Sequence, residues 1–308
     1  MTADKELWVF IKQKGGSGAT DVCAKMAAIH DLAGASTLVL DADNALRSYK
    51  VRHGTNSAVS VPLKGDNRHP DTVLKSFIGT ADVILLDLPG GFVTHDSAES
   101  RWVWHLIDGP SAQGMRRVFF YVASSNAPGS TENAIQLQEK LGLTGTHILV
   151  LNDSSGTGTF DQVAPPATMD VLRVGHVPPG IVAAVQQVPR PLAAFITDPP
   201  PGFRCAASIM AAHLAEIAES PALTGLLPAG ASEAIARHSA CHPGPLHFHV
   251  GTLPSASDKA LQLNAATRRH LQALLADGRS RSDPHVVAFD DASRAYLAVV
   301  TAKRHEAG

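Results

Sequence analysis

The chain predicts an α/β protein with a doubly wound, mostly parallel sheet. Three observations lead there. Short apolar runs recur along the first two thirds of the sequence, stretches with helical spacing separate them, and several of the runs stop at an aspartate or asparagine. The composition agrees: 308 residues with 44% hydrophobic and 18% charged side chains make a globular chain, long enough for one large domain with an appendage or for two small ones.

Leu7 to Lys12 is a strand-length apolar run that ends in a glycine-rich segment. Val22, Met26, Ile29 and Ala33 then recur at helical spacing until Gly34 stops them. A second buried-strand run, Thr37 to Asp41, follows, and the helical stretch from Pro70 to Ile78 leads to a third, Val83 to Asp87. Further runs at Val118 to Val122, His147 to Leu151 and Val171 to Val174 are separated by helical segments, notably Thr131 to Leu141. A helix is expected over Phe203 to Glu219, and the Pro/Gly/Ala-rich residues 221–231 read as a linker. Residues 232–308, with a helix over Ser257 to Ala276 and strand-like runs at His285 to Phe289 and Tyr296 to Thr301, read as a small C-terminal α+β appendage. In sheets of this class, ligands bind at the carboxyl ends of the strands.

The segment from Lys14 to Asp21 (KGGSGATD) sits between the first strand and the first helix. Three glycines let the backbone wrap an anion while the first amides of the helix point at it, which makes the segment a phosphate cradle. Lys14-Gly15-Gly16-Ser17-Gly18-Ala19-Thr20 resembles the deviant Walker A motif of the ParA/MinD family of dimerising ATPases. Lys14 stands at the family's signature lysine, and Ala19 stands where the family has its second lysine. Three explanations of Ala19 stay open: a nucleotide-binding relic, an engineered inactivating substitution, or a loop in which Lys14 and other charges compensate. Asp41-Ala42-Asp43 resembles the family's D-x-D segment, Asp87-Leu88-Pro89-Gly90-Gly91 its Walker B turn, and Asn152 and Gly175-His176-Val177-Pro178 its base-binding loops. The five motifs occur in family order over residues 7 to 219 and place a P-loop NTPase-type domain at residues 1–220.

The resemblance implies ATP and Mg²⁺ as cofactors. Lys14 would reach a partner's phosphates and Asp43 would orient the attacking water, while Thr20, Asp41 and Asp87 would serve the metal. Gly15, Gly16, Ser17, Gly18, Ala19, Thr20, Asp21, Asn152 and Pro178 would surround the nucleotide. It implies an ATP-dependent homodimer with a protein partner, acting in plasmid or chromosome partition, plasmid stability or conjugative transfer, with hydrolysis weak or lost because of Ala19. The alternative is a nucleotide-independent adaptor that keeps the fold and binds another protein.

Other features bound the reading. Met1 to Glu6 lacks the pattern of a secretory signal, no apolar run approaches the ~20 residues of a membrane span, and a cytoplasmic location is expected. Cys23, Cys205 and Cys241 form no C-x-x-C pair. A net charge of -2 gives no global positive field for nucleic acid. Residues 257–308 carry eight Lys/Arg against six Asp/Glu, so Arg268, Arg269, Arg279 and Arg281 leave nucleic acid open as a partner. His238, Cys241, His242, His247 and His249 match no strong zinc pattern and read as chance clustering among 15 histidines.

Overall fold

All six apolar runs become strands of one sheet in the computed structural model, which describes residues 5–12, 16–42, 48–54, 58–61, 69–91, 98–160 and 164–239. These residues fall within the first of the chain's two units, Met1–Ala240. The strands are β1 (Glu6–Ile11), β2 (Thr37–Asp41), β3 (Val59–Ser60), β4 (Val83–Asp87), β5 (Arg116–Ser124), β6 (Thr146–Asn152) and β7 (Asp170–Val174). Every pairing is parallel, in the order β3-β2-β4-β1-β5-β6-β7. The chain starts in the middle, builds one flank, then crosses β1 to build the other. This is the doubly wound architecture of P-loop NTPase-type folds, a class in which ligands bind outside the carboxyl ends of the strands.

Strand periodicity divides the interior into two cores. Trp8, Phe10, Val39, Leu85, Phe120, Ile148, Val150 and Leu172 face one side. They pack under α1 (Ala19–Leu32), α8 (Leu192–Thr197), α9 (Arg204–Ala218) and α10 (Ala231–Ala236). Leu7, Val9, Ile11, Ile84, Leu86, Phe119, Tyr121 and Leu149 face the other, against α3 (Pro70–Lys75), α4 (Ala98–Asp108), α5 (Pro110–Gln113) and α6 (Ser130–Leu141). The short α2 (Ser48–His53) precedes β3, and α7 (Pro179–Gln186) follows β7. On the α1 side an aromatic row fills the centre: Phe10 stacks on Phe120 at 4.7 Å, and Trp8 lies 5.0 Å from the same ring. α1 itself is buried from Val22 to His30 without a break, so it runs through the core rather than along its surface.

Among the stretches that differ from the sequence expectation are β3 and residues 221–231. β3 was not foreseen: it is two residues long and has no period to read. Residues 221–231, expected as a linker, hold a 3-10 turn at Pro221–Leu223 and place Leu223, Leu226 and Ala231 in buried positions; α10 then brings in Ile235 at zero exposure. Small residues there permit close packing on α9 as readily as they permit flexibility. The expected helix at Ser257–Ala276, the strand-like runs after it, Arg268, Arg269, Arg279, Arg281, Cys241, His242, His247 and His249 lie outside the described residues.

Candidate functional site at the amino end of α1

Parallel register brings the chemistry together. Asp41 pairs with Asp87 across β2 and β4, and Asp87 with Phe10 across β4 and β1. Ser124 pairs with Asn152 across β5 and β6. Each of these residues has the parity that faces α1, and Lys12, one step beyond β1, shares the parity of Phe10. The carboxyl edge of the sheet therefore presents Asp41, Lys12, Asp87, Ser124 and Asn152 toward the end where α1 begins. All five are buried, with Asp87 at 0% exposure, Asp41 at 1% and Lys12 at 7%.

The helix end offers backbone donors that the helix itself does not use. Gly18 is its N-cap in a left-handed conformation (φ 82°), and the intrahelical ladder opens only with the Val22 N–H donating to the Gly18 carbonyl at 2.9 Å. The first-turn amides of Ala19, Thr20 and Asp21 precede that ladder and lie at the positive end of the helix dipole. Ser17 is buried, and its Oγ has no hydrogen-bond partner among the described residues. Gly16 is exposed at the turn before it. Ala19 is 1% exposed and contributes only a methyl group to the core.

Lys12 was not foreseen as a site residue. Its Nζ donates to Thr20 Oγ1 at 3.2 Å and stands 3.5 Å from Asp87 Oδ1, both inside the protein. The signal in the sequence is a lysine closing the apolar run Leu7–Ile11, on the flank where β4 and then β2 each end in aspartate. A buried cation needs such partners. Thr20 and Asp87, two of the three residues expected to serve Mg²⁺, thus converge on an ammonium group. A divalent ion bridging those two oxygens would have to displace it, so the donor set as arranged does not fit Mg²⁺. Cys23 lies beneath this group, where burial pushes its thiol pKa well up; Asp87 adds to the shift and Lys12 opposes it.

Asn152 is also turned inward. It is 3% exposed, and its Nδ2 donates to the Ser17 carbonyl at 3.0 Å, tying the end of β6 to the glycine loop. A Cβ at Gly18 would fall directly on that amide nitrogen, so the loop and the asparagine are fitted to each other. Pro178 lies nearby on the chain after β7, exposed at the start of α7. The two loops meet through His176, whose ring closes against Gly156, and through the Asp153 N–H donating to the Val174 carbonyl at 2.8 Å. Ser124 extends the polar edge by pairing its hydroxyl with that of Ser154 at 2.9 Å.

Asp21 turns its carboxylate along the helix instead, to Lys25 at 2.8 Å. Burial pushes the Asp21 pKa up, but Lys25, with a smaller contribution from His53, outweighs it and holds the group below its ordinary value. Lys14, Gly15 and Asp43 lie outside the described residues. Of the histidine and cysteine cluster only His238 is described, and no group of three or more His, Cys, Asp or Glu able to hold a metal occurs among the described residues.

No family model matches the chain, and no curated protein matches it. Among solved structures it is similar to the septum site-determining protein MinD complexed with Mg-ADP from Pyrococcus horikoshii, at 17% identity over 72% of this chain and 98% of that one, with a TM-score of 0.44. It is similar to a ParA family ATPase from Chlorobium tepidum at 14% identity over 64% and 93%, with a TM-score of 0.42. It is also similar to the MinC:MinD cell division protein complex of Aquifex aeolicus at 15% identity over 79% and 98%, with a TM-score of 0.41.

Proposed function

We propose that this chain is a nucleotide-binding switch protein that holds ATP at the amino end of α1 and hydrolyses it weakly or not at all. One observation carries the reading: a glycine-capped helix end and the buried Lys12 amine meet at the carboxyl edge of the central strand. Together they supply backbone donors and a helix dipole, the first requirements of a polyphosphate site, with Lys12 offsetting one of the two carboxylate charges beside them. Ala19 contributes no charge to a transferring phosphoryl group, and loss of such a contact removes ~2 to 4 kcal/mol of transition-state stabilisation. Binding through backbone amides does not depend on that side chain. The family resemblance extends the proposal to an ATP-dependent homodimer that meets a protein partner in plasmid or chromosome partition, plasmid stability or conjugative transfer.

A second reading, a nucleotide-independent adaptor with the same fold, draws on Asn152. The side chain that the resemblance gives to adenine is engaged with the Ser17 carbonyl. Calorimetric titration with ATP separates the two. Micromolar binding with a raised melting temperature supports the switch; no heat and no thermal shift leave the adaptor. For the wild-type protein we expect binding with hydrolysis near the buffer background. Ala19→Lys then asks whether the missing charge is the only block: recovered hydrolysis and ATP-dependent dimerisation answer that it is.

A further inference from the structure

The sheet edge under α1 carries two buried carboxylates in register, Asp41 and Asp87, at 1% and 0% exposure. Such a pair requires a counter-cation in the folded protein. In a P-loop site the counter-cation would arrive from solution with the nucleotide. Here the chain provides one: Lys12 leaves β1 at the same face and places Nζ 3.5 Å from Asp87 Oδ1 and 3.2 Å from Thr20 Oγ1. The lysine stem is enclosed, with the side chain 7% exposed, so the amine cannot leave for solvent without opening the site.

We infer that Lys12 is the resident cation of this site, taking the place of a divalent metal between the Thr20 hydroxyl and the Asp87 carboxylate, so that the site accepts its phosphate ligand without metal. A magnesium ion holds its oxygens at ~2.1 Å in an octahedron and retains several waters. An ammonium 3.2 Å from the Thr20 hydroxyl and 3.5 Å from the Asp87 carboxylate hydrogen-bonds the first, forms an ion pair with the second and has no open coordination position. Two cations cannot share that gap in a low-dielectric interior. A tethered lysine carries one charge where the metal would carry two, and it cannot be removed by chelation. The clause concerning the ligand rests on the nucleotide reading above; the clause concerning the cation does not.

The test uses the full chain and has one part for each clause. Manganese alone, followed by loss of the free-ion electron paramagnetic resonance signal, reports on the cation position. Wild-type protein is expected to bind none there, and Lys12→Met and Lys12→Gln are expected to gain a stoichiometric ion that a further Asp87→Asn substitution abolishes. Wild-type uptake of manganese that disappears in the Asp87→Asn single variant overturns the inference, and so do folded Lys12 variants that gain nothing. ATP affinity of the wild-type protein, measured with EDTA and with excess Mg²⁺, reports on the ligand and requires no variant to fold. Affinities within about twofold are expected, whereas tightening of about tenfold or more on adding Mg²⁺ overturns the inference. If ATP fails to bind under both conditions, the nucleotide reading falls, and the manganese result alone decides the place of Lys12.

Discussion

Gly18 carries two constraints that most glycines carry singly. Its φ of 82° lies in the left-handed region, and the space a Cβ would need is filled by the Asn152 amide. Gly34, after α1, has a similar φ of 87° with nothing within 4 Å of the added carbon. Gly34→Ala should therefore cost only the backbone penalty, ~1 kcal/mol, while Gly18→Ala adds loss of the buried bond from Asn152 to Ser17 and should reach ~3 kcal/mol. Urea melts of both variants check the difference. In an Asn152→Ala background the Gly18→Ala cost should fall toward that of Gly34→Ala, because the clash is gone. Equal costs at the two glycines in the wild-type background would mean that Asn152 does not brace the loop. The glycines were readable from sequence as a loop entering a helix. The fit to Asn152 was not, because it joins residues 135 apart through a contact that no local spacing encodes. Lys12 was missed for a related reason: a lysine at a strand end usually reaches solvent, and only the register of β1 and β4 puts the Asp87 carboxylate within its reach.

At the scale of the element, α1 shows how a buried helix tolerates charge. Lys25 lies in the middle of it with its side chain 4% exposed, paired one turn back with Asp21, whose side chain is 44% exposed. Removing the acid leaves a buried cation unpaired, whereas removing the lysine leaves an acid that water can solvate. Asp21→Asn should destabilise by ~2 kcal/mol, below the range for a fully enclosed pair because Asp21 reaches solvent. Lys25→Met should lie within ~1 kcal/mol of wild type. Denaturation of the two single variants measures that asymmetry, and the reverse order would show that Lys25 holds something besides Asp21. The helix was legible from Val22, Met26 and Ile29, and six of the seven strands from short runs rich in apolar residues. Other elements were not: β3 has only two residues, and α7 and α8, of eight and six residues, are bounded by prolines that mark turns. The stretch at 221–231 misled for a chemical reason, since alanine, glycine and proline are as common in linkers as in close helix contacts.

For the whole molecule, the doubly wound plan encloses imidazoles that have nothing to protonate them favourably. His30 is 1% exposed against the edge of Trp8, and neither ring nitrogen has a hydrogen-bond partner among the described residues. Burial lowers its pKa from 6.5 to about 4. His53 is likewise lowered by burial to about 4, with Asp21 partly opposing the shift. His213 on α9 is lowered to about 3 by burial and then by Lys25. In each case the folded value is depressed, so the unfolded chain binds more protons once the pH falls below 6.5. Stability is then full above pH 6.5 and declines toward pH 4, where His30 and His53 begin to charge even in the folded state. Each histidine contributes a slope of up to ~1.4 kcal/mol per pH unit in that window; His147, lowered by burial as well, adds to it, while Asp31 and Glu216, raised by burial, oppose it toward pH 4. Asp21, whose pKa is depressed below 3.8, adds its own loss only at lower pH and does not blur the window. Urea denaturation across pH 7 to 4.5 should show this decline. His30→Phe keeps an aromatic ring against Trp8 and removes the proton, and it should make the slope measurably shallower. A wild-type profile that stays level down to pH 4.5, or a His30→Phe profile parallel to it, would place the acid sensitivity outside the core beneath α1.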